Sequence, residues 1–303
     1  MKRIVVFGSY ITDLTARTNG FPKAGQTVLG ESFQMGPGGK GFNQAVAAHR
    51  AGAEVMIVTK VGADAFAEVA KNAMRSFGMS DAYVLTSSEH PTGTALIAVD
   101  TATGQNEIIV IPGACLSFTE AEVLALAPLF RKGDIMLAQL ETNCEATELA
   151  LRLAKGNSMT TVLNTAPAQK VSDAMLALCD LVTPNETEAE AISGIAVTDE
   201  DAALRAAEYF LGKGVRQVVI TLGDRGCFVH DGARWGTVAA RKVRAVDTTG
   251  AGDAFNGGLV TALSEGKDLW QAVSFATKLA SLSVQRKGTA LSMPTRAEID
   301  AVI

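Results

Sequence analysis

The chain has 303 residues, 48% of them hydrophobic and 19% charged, with a net charge of −5 at pH 7. That balance supports a large apolar core and excludes long disorder, and the scattered Lys and Arg give no basic stripe for nucleic acid. No apolar run reaches the roughly 18 residues of a membrane span, and the four cysteines form no Cys-x-x-Cys pair, which argues against zinc or a disulfide framework and for a cytoplasmic protein acting on small molecules.

Ile4–Phe7 is too short an apolar run for a signal peptide and predicts a buried first strand, which leads into Gly8-Ser9-Tyr10-Ile11-Thr12-Asp13. Between Thr12 and Met35, and again between Thr92 and Ile111, the pattern becomes short extended segments punctuated by Gly and Pro. Both inserts are hairpin material, and they predict either one small β lid or two unrelated surface hairpins.

Gly36-Pro37-Gly38-Gly39-Lys40-Gly41 matches the Gly-x-Gly-x-x-Gly dinucleotide fingerprint but does not follow the first strand, where that motif belongs. Nor is it a Walker A loop, because position 34 is Gln34 and no Ser or Thr follows Lys40. What remains is a turn with Lys40 and Asn43 at the start of a helix over Phe42–Ala51. Taken singly they are a solvated charge and a helix cap. Taken together, Asn43 offers a donor and an acceptor to neighbouring hydroxyls, and the glycines admit close approach of a ring.

Val55–Lys60, a helix near Ala63–Ser76, Ile135–Ala138, Thr161–Leu163, Leu181–Thr183 and Val218–Thr221 continue the series, and the C-terminal part is mostly helical. The alternation predicts an α/β fold of three layers, with a mostly parallel central sheet, helices on both faces and ligands at the carboxyl ends of the strands. Residues 1–11, 36–91 and 112–303 are assigned to this α/β domain, and 12–35 and 92–111 to the lid.

The most informative segment is Asp247-Thr248-Thr249-Gly250-Ala251-Gly252-Asp253-Ala254-Phe255-Asn256-Gly257-Gly258-Leu259-Val260. Three small residues lead into a helical apolar run, so backbone N–H groups of Gly250, Ala251 and Gly252 converge where anions bind. Asp253 on the first turn would repel such an anion. One chemistry resolves the conflict: the amides hold a migrating phosphoryl group while the carboxylate takes the proton of the attacking hydroxyl.

Two segments together resemble the ribokinase family of carbohydrate kinases: Gly38-Gly39-Lys40-Gly41-Phe42-Asn43-Gln44-Ala45, continued by Gly52 and Gly62, and the 247–260 segment. Gln139-Leu140-Glu141, Asn164-Thr165-Ala166-Pro167-Ala168, Pro184-Asn185-Glu186-Thr187-Glu188, Thr221-Leu222-Gly223 and Arg286-Lys287-Gly288 extend the similarity along nearly the whole chain. The resemblance implies a ribokinase-like fold, ATP-dependent phosphorylation of a primary hydroxyl on a small sugar, and a homodimer formed through the β lid. It implies Asp253 as general base, Gly250, Ala251 and Gly252 as anion hole, and Asp13, Gly39, Lys40, Asn43 and Glu141 as the sugar-binding set. It implies further that Asn185 and Glu188 order phosphate and water on magnesium (Mg2+), that Thr221 and Gly223 lie beside the nucleotide with Asn185, and that potassium (K+) binds near Asp247, Thr249, Ser283, Arg286, Gly288 and Ser292. Without the motif, Glu188 reads as a helix-surface charge and Glu141 as a strand-end charge.

One position departs from the family pattern. Ribokinases carry Asn two residues before the sugar-binding Asp, and Ile11 stands there. An unpaired ring hydroxyl buried against an aliphatic group costs about 1–3 kcal/mol, which favours 2-deoxyribose over ribose unless Ile11 simply packs in the core. Phe42 stands where an alanine is common and adds bulk beside Asn43, while Thr12 and Tyr10 are candidates either to compensate or to fit another substrate, which keeps a family kinase of another small sugar or a nucleoside as the alternative. Two readings from other classes compete: a nicotinamide-dependent (NAD) oxidoreductase using the Gly36–Gly41 loop, and a non-catalytic sugar-binding protein, for which the retained Asp253 has no use.

Overall fold

The computed structural model describes residues 1–302. In chain order its elements are β1 (Ile4–Phe7), β2 (Ile11–Thr18), β3 (Ser32–Gly38), α1 (Lys40–Arg50), β4 (Val55–Gly62), α2 (Ala65–Ser76), β5 (Val84–Ser87), β6 (Gly93–Asp100) and β7 (Asn106–Ile111). There follow α3 (Glu120–Ala125), β8 (Ile135–Ala138), α4 (Cys144–Gly156), β9 (Thr160–Leu163), α5 (Asp173–Ala177), β10 (Leu181–Val182), α6 (Glu186–Ser193), α7 (Glu200–Gly212) and β11 (Gln217–Thr221). A hairpin of β12 (Cys227–His230) and β13 (Trp235–Val238) precedes α8 (Ala251–Ser264), α9 (Leu269–Ser283) and α10 (Arg296–Asp300).

The large sheet has the order β13-β12-β11-β10-β9-β8-β1-β4-β5, parallel except for β12 and β13. Its central strands are buried on both faces, which is why they read as continuous apolar runs. Ile4 and Val6 enter one core with residues of α1, α2, α8 and α9, while Val5 and Phe7 enter a second core with residues of α4 and α7. From β1 the chain builds outward to β4 and β5 on one side and to β8 through β11 on the other. The order therefore reverses at the β1–β8 pair, where Phe7 and Ala138 are in register, and a crevice opens past their carboxyl ends.

The second sheet has the order β3-β2-β6-β7, with β2 and β6 parallel at its centre. It includes Ile11 and residues 36–38 as well as most of the two inserts. Alternation gives it two unlike faces. Asp13, Thr15, Arg17, Ile97 and Val99 face an open cleft of about 920 Å³, whose far wall includes Asp247, Thr249 and Gly288. On the opposite face, Phe33, Met35, Leu96, Ile109 and Ile111 are exposed.

The helix expected over Phe42–Ala51 begins at Lys40, because Gly39 supplies the N-cap without any side-chain bond. Asn43 is therefore inside the helix and does not cap it. Phe42 turns into the core, edge-on to Tyr10 with ring centroids 5.4 Å apart, so its bulk lies with the core aromatics. Strand β5 and the β12–β13 hairpin were not anticipated: β5 is half-exposed, and β13 is an edge strand with its outer residues in water. Helices α1 and α8 pack closely at Gly257, where a Cβ would lie 2.4 Å from Ala47 Cβ and 2.8 Å from the Gln44 carbonyl oxygen. Only a residue without a side chain permits this crossing, which sets the first turn of α8 against Asn43 and Gln44.

Candidate active site

Residues just past β1, β8, β9 and β10 meet the N-terminal turns of α1 and α8 in the crevice. Glu141, three residues beyond β8, accepts from Ser9 Oγ at 2.5 Å and from the Lys40 backbone N–H at 2.9 Å, so one of its oxygens is tied to the first turn of α1. Asp253 is 7% exposed on the first turn of α8. Its two oxygens accept from different carboxamides, Oδ2 from Asn43 Nδ2 at 3.0 Å and Oδ1 from Gln44 Nε2 at 2.9 Å.

Gly250 caps α8 with φ 79°, a left-handed conformation that side chains disfavour, and no side chain caps the helix. The first N–H groups of such a helix have no acceptor within it. The Ala251 N–H is the exception among them, because it turns back to the Thr248 carbonyl at 3.1 Å. Of Gly250, Ala251 and Gly252, the three residues expected to form an anion hole, Ala251 thus has its N–H engaged in a local turn.

Charge is concentrated here. Burial pushes Asp253 above the usual carboxylate range; Lys40 and the Gln44 and Asn43 donors pull it back, and Glu141 raises it further. Burial alone would lower the Lys40 ammonium, but Asp253, Glu141 and Glu188 together raise it, so Lys40 carries its charge among three carboxylates. Asp13 is pushed up to about 7 by burial, then by Glu141 and Asp253. Asp13 thus links the cleft to the buried Asp253, which does not itself line the cleft. Ile11, two residues before Asp13 on the same face of β2, is 2% exposed and packs with Ala95, Cys115 and Ile97.

Asn185 and Glu188 form a reciprocal capping box at the start of α6. Both Glu188 oxygens accept from Asn185, at 3.0 Å from its N–H and 2.9 Å from Nδ2, and Asn185 Oδ1 accepts from the Glu188 N–H at 2.8 Å. Glu188 is buried, not a surface charge, and burial raises its carboxyl. Thr221 forms a bridge beside Asn185, and Gly223 follows at the end of β11.

In the last loops, burial would raise the Asp247 carboxyl, but the N–H groups of Gly288 (3.0 Å) and Thr249 (2.9 Å) hold it below its ordinary range. Ser283 and Ser292 share a hydroxyl bond of 3.1 Å. The Arg286 side chain leaves this group and pairs with Glu298.

The pfkB family carbohydrate kinase profile matches residues 1–296. The chain is 42% identical to the ribokinase of Haemophilus influenzae over 98% of its own length and 97% of that protein's. The chain belongs to the ribokinase (pfkB) family of carbohydrate kinases. It is 36% identical to the deoxyribokinase of Salmonella typhi, with 96% of this chain and 95% of that one covered. The Arabidopsis thaliana ribokinase complexed with ribose and ATP superposes with a TM-score of 0.90 at 28% identity, covering 98% of this chain and 97% of the other. The enzyme is a sugar kinase, and its Gly36–Gly41 run leads from a strand of the second sheet into α1, not from β1, which removes the structural basis for the dinucleotide reading.

Several residues that organise this kinase site carried no assignment from sequence. Ser9, Gln139, Asn164 and Thr183 each stand one or two residues beyond a strand of the central sheet, and Gln44 and Asn256 are polar residues inside apolar helices. That placement, polar side chains directly after buried parallel strands, is the signal that marks them.

Proposed function

We propose that the enzyme transfers the γ-phosphoryl group of ATP to the primary hydroxyl of a pentose and prefers 2-deoxyribose to ribose. The observation that carries the reading is Asp253: a buried carboxylate on the first turn of a helix without a side-chain cap, with both oxygens facing N–H donors. Held in that way, the carboxylate accepts the hydroxyl proton while the exposed helix amides face charge that develops on the transferred group. Lys40 supplies a fixed positive charge in the same water-poor crevice. The ribose and ATP bound by the Arabidopsis relative support these ligands here.

Magnesium suits the donor set, because it keeps waters and nucleotide oxygens and needs few protein ligands. Asn185 and Glu188 would hold its water, and magnesium bound there would supply positive charge to neutralise the phosphates. A potassium ion would be held by the loops carrying Asp247, Thr249, Ser283, Arg286, Gly288 and Ser292. The Asp247 carboxylate joins these loops through the N–H groups of Thr249 and Gly288, and with Arg286 turned away the ion would meet chiefly backbone carbonyls and the Ser283 and Ser292 hydroxyls.

Asp13, Gly39, Lys40, Asn43 and Glu141 would take the sugar. Among the described residues Asn43 Oδ1 is buried without a partner, which suits an acceptor for a sugar hydroxyl. Ile11 packs with Ala95, Cys115 and Ile97 and is not part of the cleft lining, so the preference rests on the sugar reaching that aliphatic side of β2, where a hydroxyl would find no partner. The second sheet acts as a lid over the cleft, and its exposed apolar outer face supports a homodimer through that surface.

The test is ADP release with ribose, 2-deoxyribose, fructose, tagatose and nucleosides. We expect kcat/KM for 2-deoxyribose to exceed that for ribose by roughly tenfold, from the hydroxyl penalty. A preference for ribose overturns the refinement, and no release with any sugar overturns the reading itself.

A further inference from the structure

We propose that Gln44 is a positioning residue: its carboxamide, oriented by a chain of side chains that begins at the Thr183 carbonyl, holds Asp253 as a proton acceptor aimed at the sugar hydroxyl. The inference rests on the assignment of Asp253 as the base.

The chain has only one self-consistent polarity. A backbone carbonyl can only accept, so Asn164 must turn Nδ2 toward the Thr183 oxygen, 2.8 Å away. Asn164 Oδ1 then faces Gln44, which must present Nε2 at 2.9 Å. That same nitrogen spends its second N–H on Asp253 Oδ1, at 2.9 Å. Gln44 Oε1 is left to accept from Gln139 Nε2 at 2.7 Å, which completes the amide's bonding. Flipping any one carboxamide sets two acceptors or two donors face to face, at a cost comparable to a lost buried hydrogen bond. With the Asn43 donor on Oδ2, each carboxylate oxygen accepts one N–H bond, which favours the ionised form and leaves a lone pair for the sugar hydroxyl.

The Thr183 hydroxyl extends the order to the other side of the site. It bonds Asn256 Oδ1 at 2.6 Å, while Asn256 Nδ2 donates to the Gly252 carbonyl at 2.9 Å. One strand-end residue therefore fixes both the amide that meets Asp253 and the helical turn that carries it. The charges facing Asp253 are Lys40 of α1, Asp13 of β2, Glu141 beyond β8 and Glu188 of α6. The three carboxylates favour protonation, and Lys40 together with the carboxamide donors opposes them.

The experiment compares Gln44→Met, which keeps length and bulk but has no N–H, with Gln44→Glu and the parent, measuring kcat and KM from pH 5 to 9. For Gln44→Met we expect the acid limb of kcat to move up by about one pH unit, a tenfold loss at pH 6 that shrinks to within threefold at pH 9. KM for sugar and ATP should stay within threefold. Gln44→Glu sets a carboxylate beside Asp253 and should move the limb further. An even loss across the pH range, with the limb in place, overturns the positioning role. Should Gln44→Met fail to fold, Gln139→Met decides in the same assay, with about half the displacement expected and none refuting the chain. Asp253→Asn separates the two ideas: a variant that retains normal turnover removes the base itself, whereas a folded variant slowed by 10²–10⁴-fold (order of magnitude) leaves the Gln44 result to stand alone.

Discussion

Replacing Ile11 with Asn should convert part of a stability contribution into a sugar preference. Ile11 is 2% exposed among Ala95, Cys115 and Ile97, so the substitution removes aliphatic packing and buries an amide with no partner in the sugar-free protein. The first effect costs about 1–2 kcal/mol and the second about 1–3 kcal/mol. At roughly 2–4 °C per kcal/mol for a large domain, Tm should fall by several degrees. With ribose bound, the amide gains a hydroxyl partner that 2-deoxyribose lacks. Recovery of about 1–3 kcal/mol raises the ribose-to-deoxyribose ratio of kcat/KM by roughly 5- to 150-fold. Saturating ribose should also restore more of the lost Tm than saturating 2-deoxyribose. A ratio that stays within twofold of the parent's, in a variant that folds and turns over, would show that Ile11 does not meet the sugar.

Three other perturbations test separate features. Asp13→Asn removes a carboxyl whose folded pKa of about 7 lies above its ordinary 3.8. The folded state holds that proton more tightly, so the parent loses stability as pH rises through that window; the variant should melt about 2–6 °C higher at pH 8 and no higher at pH 4, after discounting for the open cleft. Equal melting shifts at both pH values would refute the clustered-charge account. Gly257→Ala forces a methyl into the α1–α8 contact and should cost about 1–3 kcal/mol in denaturant unfolding, together with a fall in kcat as Asp253 shifts against Gln44; unaltered unfolding and kcat would mean the helices yield freely. Ile109→Lys, at a residue 64% exposed on the outer face of the second sheet, should lower the solution mass from dimer to monomer by sedimentation, and an unchanged dimer mass would place the interface elsewhere.

The central sheet was readable because its strands are buried on both faces, which leaves runs such as Ile135–Ala138 with no polar residue at all. Strand β13 gave no such signal: Trp235, Gly236, Thr237 and Val238 sit at an edge where packing constrains few side chains. At the site, Asp253 and Lys40 were visible because a charge beside glycines at a helix start demands a reason. Gln44 was not, since an uncharged amide inside an apolar helix is compatible with many neighbours, and its partners come from chain segments 95, 120 and 209 residues away. The Ala251 amide was placed in the anion hole by sequence logic, and only the local turn to Thr248 shows that its proton is already engaged.

The parallel pairing at the middle of the second sheet bears on how the chain assembles. Strands β2 and β6 align from Ile11 with Gly93 to Thr18 with Asp100, yet β3, α1, β4, α2 and β5 intervene between them in sequence. No tight turn can nucleate that ladder, and the entropy of closing so long a loop must be met before its bonds form. Docking of β4 beside β1 and of β5 beside β4 in the main sheet shortens the gap, since β1 leads into β2 and β5 leads into β6. The small sheet should accordingly be the last part to gain protection in refolding followed by amide exchange, and the first to lose it when the protein is warmed.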